Sequence, residues 1–232
     1  MKGIKDPRYD LTGLEASNWL ENYFLKNNDR KIHKWWHYFE VYEKHFSRFR
    51  NKSPKILEIG VWNGGSAKMW SEYFGPGTLV FGIDVDPRCS NLQEPGIKVY
   101  IGSQENPDFL QRVAREHGPF DIIIDDGGHT MNQQVVSIET LFPFLKGGGV
   151  YLCEDTHTSY WPEFGGGLNV PDSFTNYCKR LTDRVNSQYT DEFQEDCWSR
   201  TIWSMHFYDS IVVLDKRNRV ESFHVVTGHR EL

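Results

Sequence analysis

Four short, mostly apolar runs, each with acid at its carboxyl end, constrain the fold of this chain more than any other feature. They are Ile56–Ile59 with Glu58, Leu79–Ile83 with Asp84, Phe120–Ile124 with Asp125 and Asp126, and Val150–Cys153 with Glu154 and Asp155. A further run, Lys98–Ile101, leads into Gly102-Ser103-Gln104. Helical spacing fills the intervals. One helix is predicted from Ser66 to Phe74 and stops at Gly75-Pro76-Gly77. Another is capped by Asn106, opened by Pro107 and ended at Gly118. Thr130 and Gln133 form a capping box for a third, predicted to reach Leu145. Strand–helix alternation with right-handed crossovers predicts a doubly wound, mostly parallel α/β sheet. The acidic ends then share one edge, which helix-face charges would not do.

After a Gly-, Pro- and aromatic-rich loop over residues 156–171, a helix is predicted near Ser173–Val185. Trp203–Tyr208 and Ile211–Leu214, separated by Asp209-Ser210, read as a C-terminal antiparallel hairpin, giving seven strands. A last short strand is predicted over Val220–Val226. Towards the N-terminus, Ile32, Trp35, Phe39, Tyr42, Phe46 and Phe49 are spaced 3, 4, 3, 4, 3, which predicts one amphipathic helix packed on the sheet. Trp36, His37, Tyr38 and His45 lie off that stripe, where they could line a site opening. Residues 1–30 read as a loop and a short helix with Tyr9, Leu11, Trp19 and Phe24 among its apolar anchors. The expected organisation is one domain over 1–232, with N-terminal helices as a cap (1–53) on an α/β core (54–232).

A formal charge of −6 argues against nonspecific nucleic-acid binding. The four cysteines are widely spaced and include no C-x-x-C, which predicts neither a disulfide framework nor a zinc site. No membrane-length apolar run and no signal peptide is visible, and a cytoplasmic location is expected.

The chemistry gathers at the strand ends. Lys55 to Ser66 reads as a strand, a glycine-rich turn and a helix N-terminus, which presents free backbone N–H groups to a small polar ligand. Its E-x-G-x-x-x-G-G spacing is neither the dinucleotide fingerprint nor a P-loop. Asp84, about one βαβ unit later, is placed to accept hydrogen bonds from ribose hydroxyls. Glu58 could hold a cationic amine, and Ser103 and Gln104 could frame an adenine edge. The candidate cofactor-binding residues are Glu58, Gly60, Asn63, Ser66, Asp84, Ser103, Gln104 and Asp125. Asp126, Glu154 and Asp155 converge if their strands are neighbours, and three carboxylates suit Mg²⁺, Mn²⁺ or Ca²⁺. His129 follows at the start of a capped helix, where the dipole disfavours imidazolium and suits a neutral base. His157, Tyr160 and Trp161, in the hydroxyl- and aromatic-rich loop, are candidate substrate contacts.

The Glu58-Ile59-Gly60 loop, Asp84 and the strand order resemble the class I S-adenosylmethionine-dependent methyltransferases. Asp125-Asp126-Gly127-Gly128-His129 and Glu154-Asp155-Thr156-His157-Thr158-Ser159-Tyr160 resemble, more narrowly, the metal-dependent O-methyltransferases of antibiotic sugars. The resemblance covers roughly residues 31–168 and implies a Rossmann-like fold with S-adenosylmethionine and Mg²⁺ (or Mn²⁺) as cofactors. It assigns Asp126, Glu154 and Asp155 to the metal and His129 to the general base. Gly128 stands where serine is common. The implied acceptor is a small molecule or glycoside; a homo-oligomer is expected separately from the resemblance. The macrolide enzymes carry a long N-terminal domain, so acceptor identity and assembly do not carry over. Two other readings remain open: a catechol-type O-methyltransferase, and a non-catalytic cofactor-binding regulator on the same fold.

Overall fold

The computed structural model describes residues 11–229; Tyr9, one of the expected N-terminal anchors, lies outside them. The strands are β1 (Lys55–Ile59), β2 (Leu79–Asp84), β3 (Ile97–Ile101), β4 (Phe120–Asp125), β5 (Leu145–Cys153), β6 (Ile202–Tyr208) and β7 (Ile211–Lys216). They form one sheet in the order β3-β2-β1-β4-β5-β7-β6. Strands β1 to β5 run parallel, whereas β7 is antiparallel to β5 and to β6. The order reverses between β1 and β4, and the crevice at such a switch is where open α/β sheets bind ligands.

The helices are α1 (Trp19–Lys26), α2 (Tyr38–Phe46), α3 (Gly65–Phe74), α4 (Pro107–His117), α5 (Met131–Leu141) and α6 (Phe174–Val185). Side-chain alternation sorts the core into two layers. Ile56, Val80, Ile122, Ile124 and Val213 pack with residues of α1, α2 and α3. Leu57, Phe81, Ile123, Tyr151 and Leu214 pack with α4, α5 and α6. The predicted caps form: Asn106 accepts from the Phe109 N–H, and Thr130 with Gln133 closes a reciprocal box on α5.

Three expectations are corrected. The N-terminal stripe is helical only from Tyr38, and a short 3₁₀ turn, Ser47–Phe49, follows α2. Residues 31–35 instead run irregularly over the start of α3, so close to Gly65 that a Cβ there would lie 2.3 Å from the Lys31 carbonyl oxygen. The helix expected to reach Leu145 ends at Leu141, because a 3₁₀ turn containing Pro143 precedes β5, which starts at Leu145. Residues 220–226 form no strand; Val220, Phe223, Val225 and Val226 are exposed, with no neighbouring strand to pair with. Their spacing mimics a strand without a partner. All four cysteines are free thiols. Among the described residues no helix is long and apolar enough to cross a membrane.

Candidate functional site

Register brings the acidic ends together. Asp125 pairs with Ile59 of β1 and with Cys153 of β5, so the residues that follow emerge side by side. Backbone bonds fix the exits: Gly60 N–H donates to Ile83 (2.8 Å), Asp126 N–H to Ile59 (3.0 Å) and Glu154 N–H to Asp125 (2.9 Å). Gly60 has φ +91°, and a Cβ there would lie 1.9 Å from the Asp126 carbonyl oxygen. Gly60→Ala should therefore push the β1 and β4 loops apart, cost ~2 kcal/mol or more, and weaken ligand binding in the crevice. Thermal melts and a titration with S-adenosylhomocysteine check this; an unperturbed variant would contradict the close approach.

A cavity of about 760 Å³ opens over these loops, within the range typical of small-molecule sites. One arm runs along Gly60, Trp62, Asp84, Val85 and Leu92; the other holds Asp126, His129, Glu154 and Asp155. Asn63, Ser66 and Gln104 also line it, and residues 31–35 with Tyr38 form a further wall. Of the four off-stripe aromatics, Tyr38 alone reaches the cavity. Buried His45 faces the Tyr208 hydroxyl instead, and His37 the Asp209 carbonyl.

Other candidates sit away from the wall, and strand alternation explains two of them. Glu58 is in the same register set as Ile56 and faces α3, where its Oε1 accepts from Trp70 Nε1 (2.9 Å). Asp125 is in the set of Ile123 and faces the opposite layer, accepting from Gln104 Nε2 (3.1 Å) and the Tyr151 hydroxyl (3.2 Å). Gln104 Nε2 also donates to the Ser137 hydroxyl, and its Oε1 accepts from the Gly128 N–H. Ser103 accepts from the Glu105 N–H outside the cavity. Asp84 does line it, but its carboxylate already accepts the Val61, Trp62 and Asp86 N–H groups, each at 2.9 Å. It thus holds the glycine loop in shape. His157 stacks edge-on against Trp35 and Trp161 beside the opening, and Tyr160 is exposed. None of these last three lines the cavity.

Burial pushes the Glu58 carboxyl up to about 7, with the Lys34 charge opposing. The folded chain therefore keeps a proton that the unfolded chain releases, and this group's contribution to stability falls as pH rises from 4.5 to about 7. Glu58→Gln should abolish that slope, gaining up to ~3 kcal/mol over the native chain above the window at ~1.4 kcal/mol per pH unit. Melts across that range test it; an unchanged slope would contradict it.

The other arm concentrates charge. His129, held at φ +60°, points Nε2 at Asp155 Oδ2 (3.4 Å) and Asp126 Oδ1 (3.9 Å), and its Nδ1 is buried without a protein partner. Ligand atoms of Asp126, His129 and Asp155 lie within 4.8 Å of one another, a spacing that can hold a metal ion. Glu154 is buried, with Oε2 on Lys34 (2.7 Å) and Oε1 unpartnered. Asp155, at φ +51°, accepts from the Tyr38 hydroxyl (2.7 Å). Burial raises Asp126 and Glu154 above the usual carboxylate range, Lys34 opposing in both cases. Burial disfavours the Lys34 ammonium, but Asp126 and Glu154 outweigh it and hold the group well above the usual lysine value. Lys34 was not legible as a site residue: it falls within the apparent helix but off its apolar stripe. Tyr38's bond to Asp155 gave no signal beyond its place off the stripe.

Residues 57–156 match a family model described as a methyltransferase domain. The chain is 46% identical over 204 residues to the 8-demethyl-8-(2-methoxy-alpha-L-rhamnosyl)-tetracenomycin-C 3'-O-methyltransferase of Streptomyces olivaceus, covering 81% of this chain and 52% of that one. It is 35% identical to the mycinamicin VI 2''-O-methyltransferase of Micromonospora griseorubida over 75% of this chain and 47% of that one. The chain thus spans about half the length of the curated relatives it matches. The solved MycE methyltransferase of the mycinamycin pathway, in complex with Mg, SAH and mycinamycin VI, superposes with a TM-score of 0.76 at 32% identity, covering 86% of this chain and 53% of that one. Over four-fifths of its length this chain is similar to the sugar O-methyltransferases, the match to the methyltransferase-domain model lies at its centre, and its sheet has the Rossmann-like fold of the MycE structure.

Proposed function

We propose that this chain transfers a methyl group from S-adenosylmethionine to a hydroxyl of a glycosylated natural product, with Mg²⁺ as the bound cation. The observation that carries the reading is the single cavity joining the glycine loop to Asp126, His129, Glu154 and Asp155. Its donors fit the cation: carboxylate oxygens dominate, and Glu154 Oε1 is buried with no protein partner. Asp126, Glu154 and Asp155 would hold it; Gly60, Asn63, Ser66 and Asp84 would border the cofactor. When bound, the sulfonium supplies an activated methyl group and the cation makes an acceptor hydroxyl more acidic.

His129 accepts the hydroxyl proton at Nε2, and Asp155 at 3.4 Å steadies the imidazolium that forms. Trp35, exposed on the cavity wall, offers a flat apolar face to a sugar or its aglycone, and Trp62 offers one on the glycine-loop arm. Ahead of the α/β core, residues 31–35 and Tyr38 act as part of a cap, since they close one wall of the cavity.

The test is turnover with S-adenosylmethionine and Mg²⁺ on a panel of rhamnosylated aromatics, macrolide glycosides and simple catechols. Methylated glycosides are expected. Turnover confined to catechols would move the acceptor class, and cofactor binding without turnover on any acceptor would favour a regulator.

A further inference from the structure

The carboxylate cluster contains a protein cation that the proposed reaction does not use. Lys34 reaches it from the irregular segment ahead of α2, and its side chain is only 2% exposed. Its Nζ donates to Asp126 Oδ2 and to Glu154 Oε2. A buried ammonium is tolerated when paired in this way. The pairing also divides the oxygens. Asp126 Oδ1 and Asp155 Oδ2 stay turned towards His129, and Glu154 Oε1 keeps no protein partner. With a cation bound to keep all three carboxylates ionised, Asp126, Glu154 and Asp155 would carry three negative charges and Lys34 one positive, a remainder of two negative charges. Glu58 influences Lys34 only through its charge; it makes its hydrogen bond to Trp70 in the α3 layer and lies outside this set.

We propose that Lys34 sets the charge selectivity of this site, reducing three carboxylates to the charge that matches a divalent cation and disfavouring a trivalent one. The inference rests on the reading that Asp126, Glu154 and Asp155 hold a cation. Its physics is Coulombic: a fixed positive charge beside the ligands repels a trivalent ion by one unit of charge more than a divalent ion, in a site where solvent screens little. Lys34 is a positioning residue in this scheme. It contacts the ligands and donates nothing to the acceptor.

The experiment compares Tb³⁺ binding, read by luminescence sensitised through the nearby Trp35, Tyr38 and Tyr42, with Mn²⁺ binding, read by electron paramagnetic resonance. Wild type, Lys34→Met, Lys34→Arg and the charge-balanced Lys34→Met/Glu154→Gln pair are each titrated with both ions. Lys34→Met should shift the ratio of the two dissociation constants at least about tenfold towards Tb³⁺. Lys34→Arg should keep the wild-type ratio, and the double variant should return towards it. If Lys34→Met does not fold, Glu154→Gln against the double variant makes the same one-charge comparison, with the same shift expected. An unchanged ratio across either comparison overturns the role of Lys34 alone. Failure of Mn²⁺ to bind the wild type, or binding that survives Asp126→Ala undiminished, overturns the cation reading and this inference with it.

Discussion

Asp126→Ala should abolish Mg²⁺-dependent methyl transfer, by ~10²-fold or more, while S-adenosylhomocysteine still binds within about threefold of wild type. The separation follows from the two arms of the cavity. Asp126 contributes to the cofactor arm mainly through its backbone, which binds Ile59 and packs on Gly60, and alanine keeps that backbone. Its carboxylate points the other way, to Lys34 and towards His129. Truncation leaves Lys34 on Glu154 alone, so the buried ammonium retains one partner and the fold should persist. Turnover measured against Mg²⁺ concentration, beside a calorimetric titration with S-adenosylhomocysteine, reads both quantities. Cofactor affinity falling in step with turnover would mean that Asp126 supports the whole crevice rather than the cation.

The strands could be read because β1, β2, β4 and β5 are buried on both faces and leave near-continuous apolar runs. Their acidic ends pointed to one edge because parallel strands share direction. What the runs did not reveal is which face each acid takes. Glu58 and Asp125 are still inside their strands, and the two-residue period sends them into opposite layers, to Trp70 and to Tyr151. Asp126, Glu154 and Asp155 lie past the last paired residue, where the chain turns into the crevice. A one-residue difference at a strand end thus separates a core carboxyl from a cavity one. Lys34 was hidden for another reason. Ile32 and Trp35 match the helical stripe by spacing, yet the segment is held open by its fit against Gly65 and by the ammonium bonds to Asp126 and Glu154. Tertiary contacts of this kind override a periodic pattern and leave no local trace.

His129→Ala should slow the chemical step by ~10²- to 10⁴-fold, the usual worth of a positioned general base, and weaken cation binding far less. The geometry allows two roles, and the variant separates them. His129 Nε2 lies near enough to Asp126 and Asp155 to act as a third ligand. Yet both carboxylates have oxygens to offer without it, and Glu154 Oε1 adds another. Loss of one imidazole from such an oxygen-rich set is a modest loss for Mg²⁺, which prefers oxygen donors. Loss of the base is severe, because the Asp155 carboxylate at 3.4 Å is placed to stabilise a proton arriving at Nε2 and nothing then receives it. Single-turnover rates at saturating acceptor, with Mn²⁺ affinity measured on the same variant, distinguish the cases. A large drop in rate with near-native Mn²⁺ binding assigns His129 to proton transfer. A parallel collapse of Mn²⁺ binding would make it a ligand, and an unchanged rate would remove it from the mechanism.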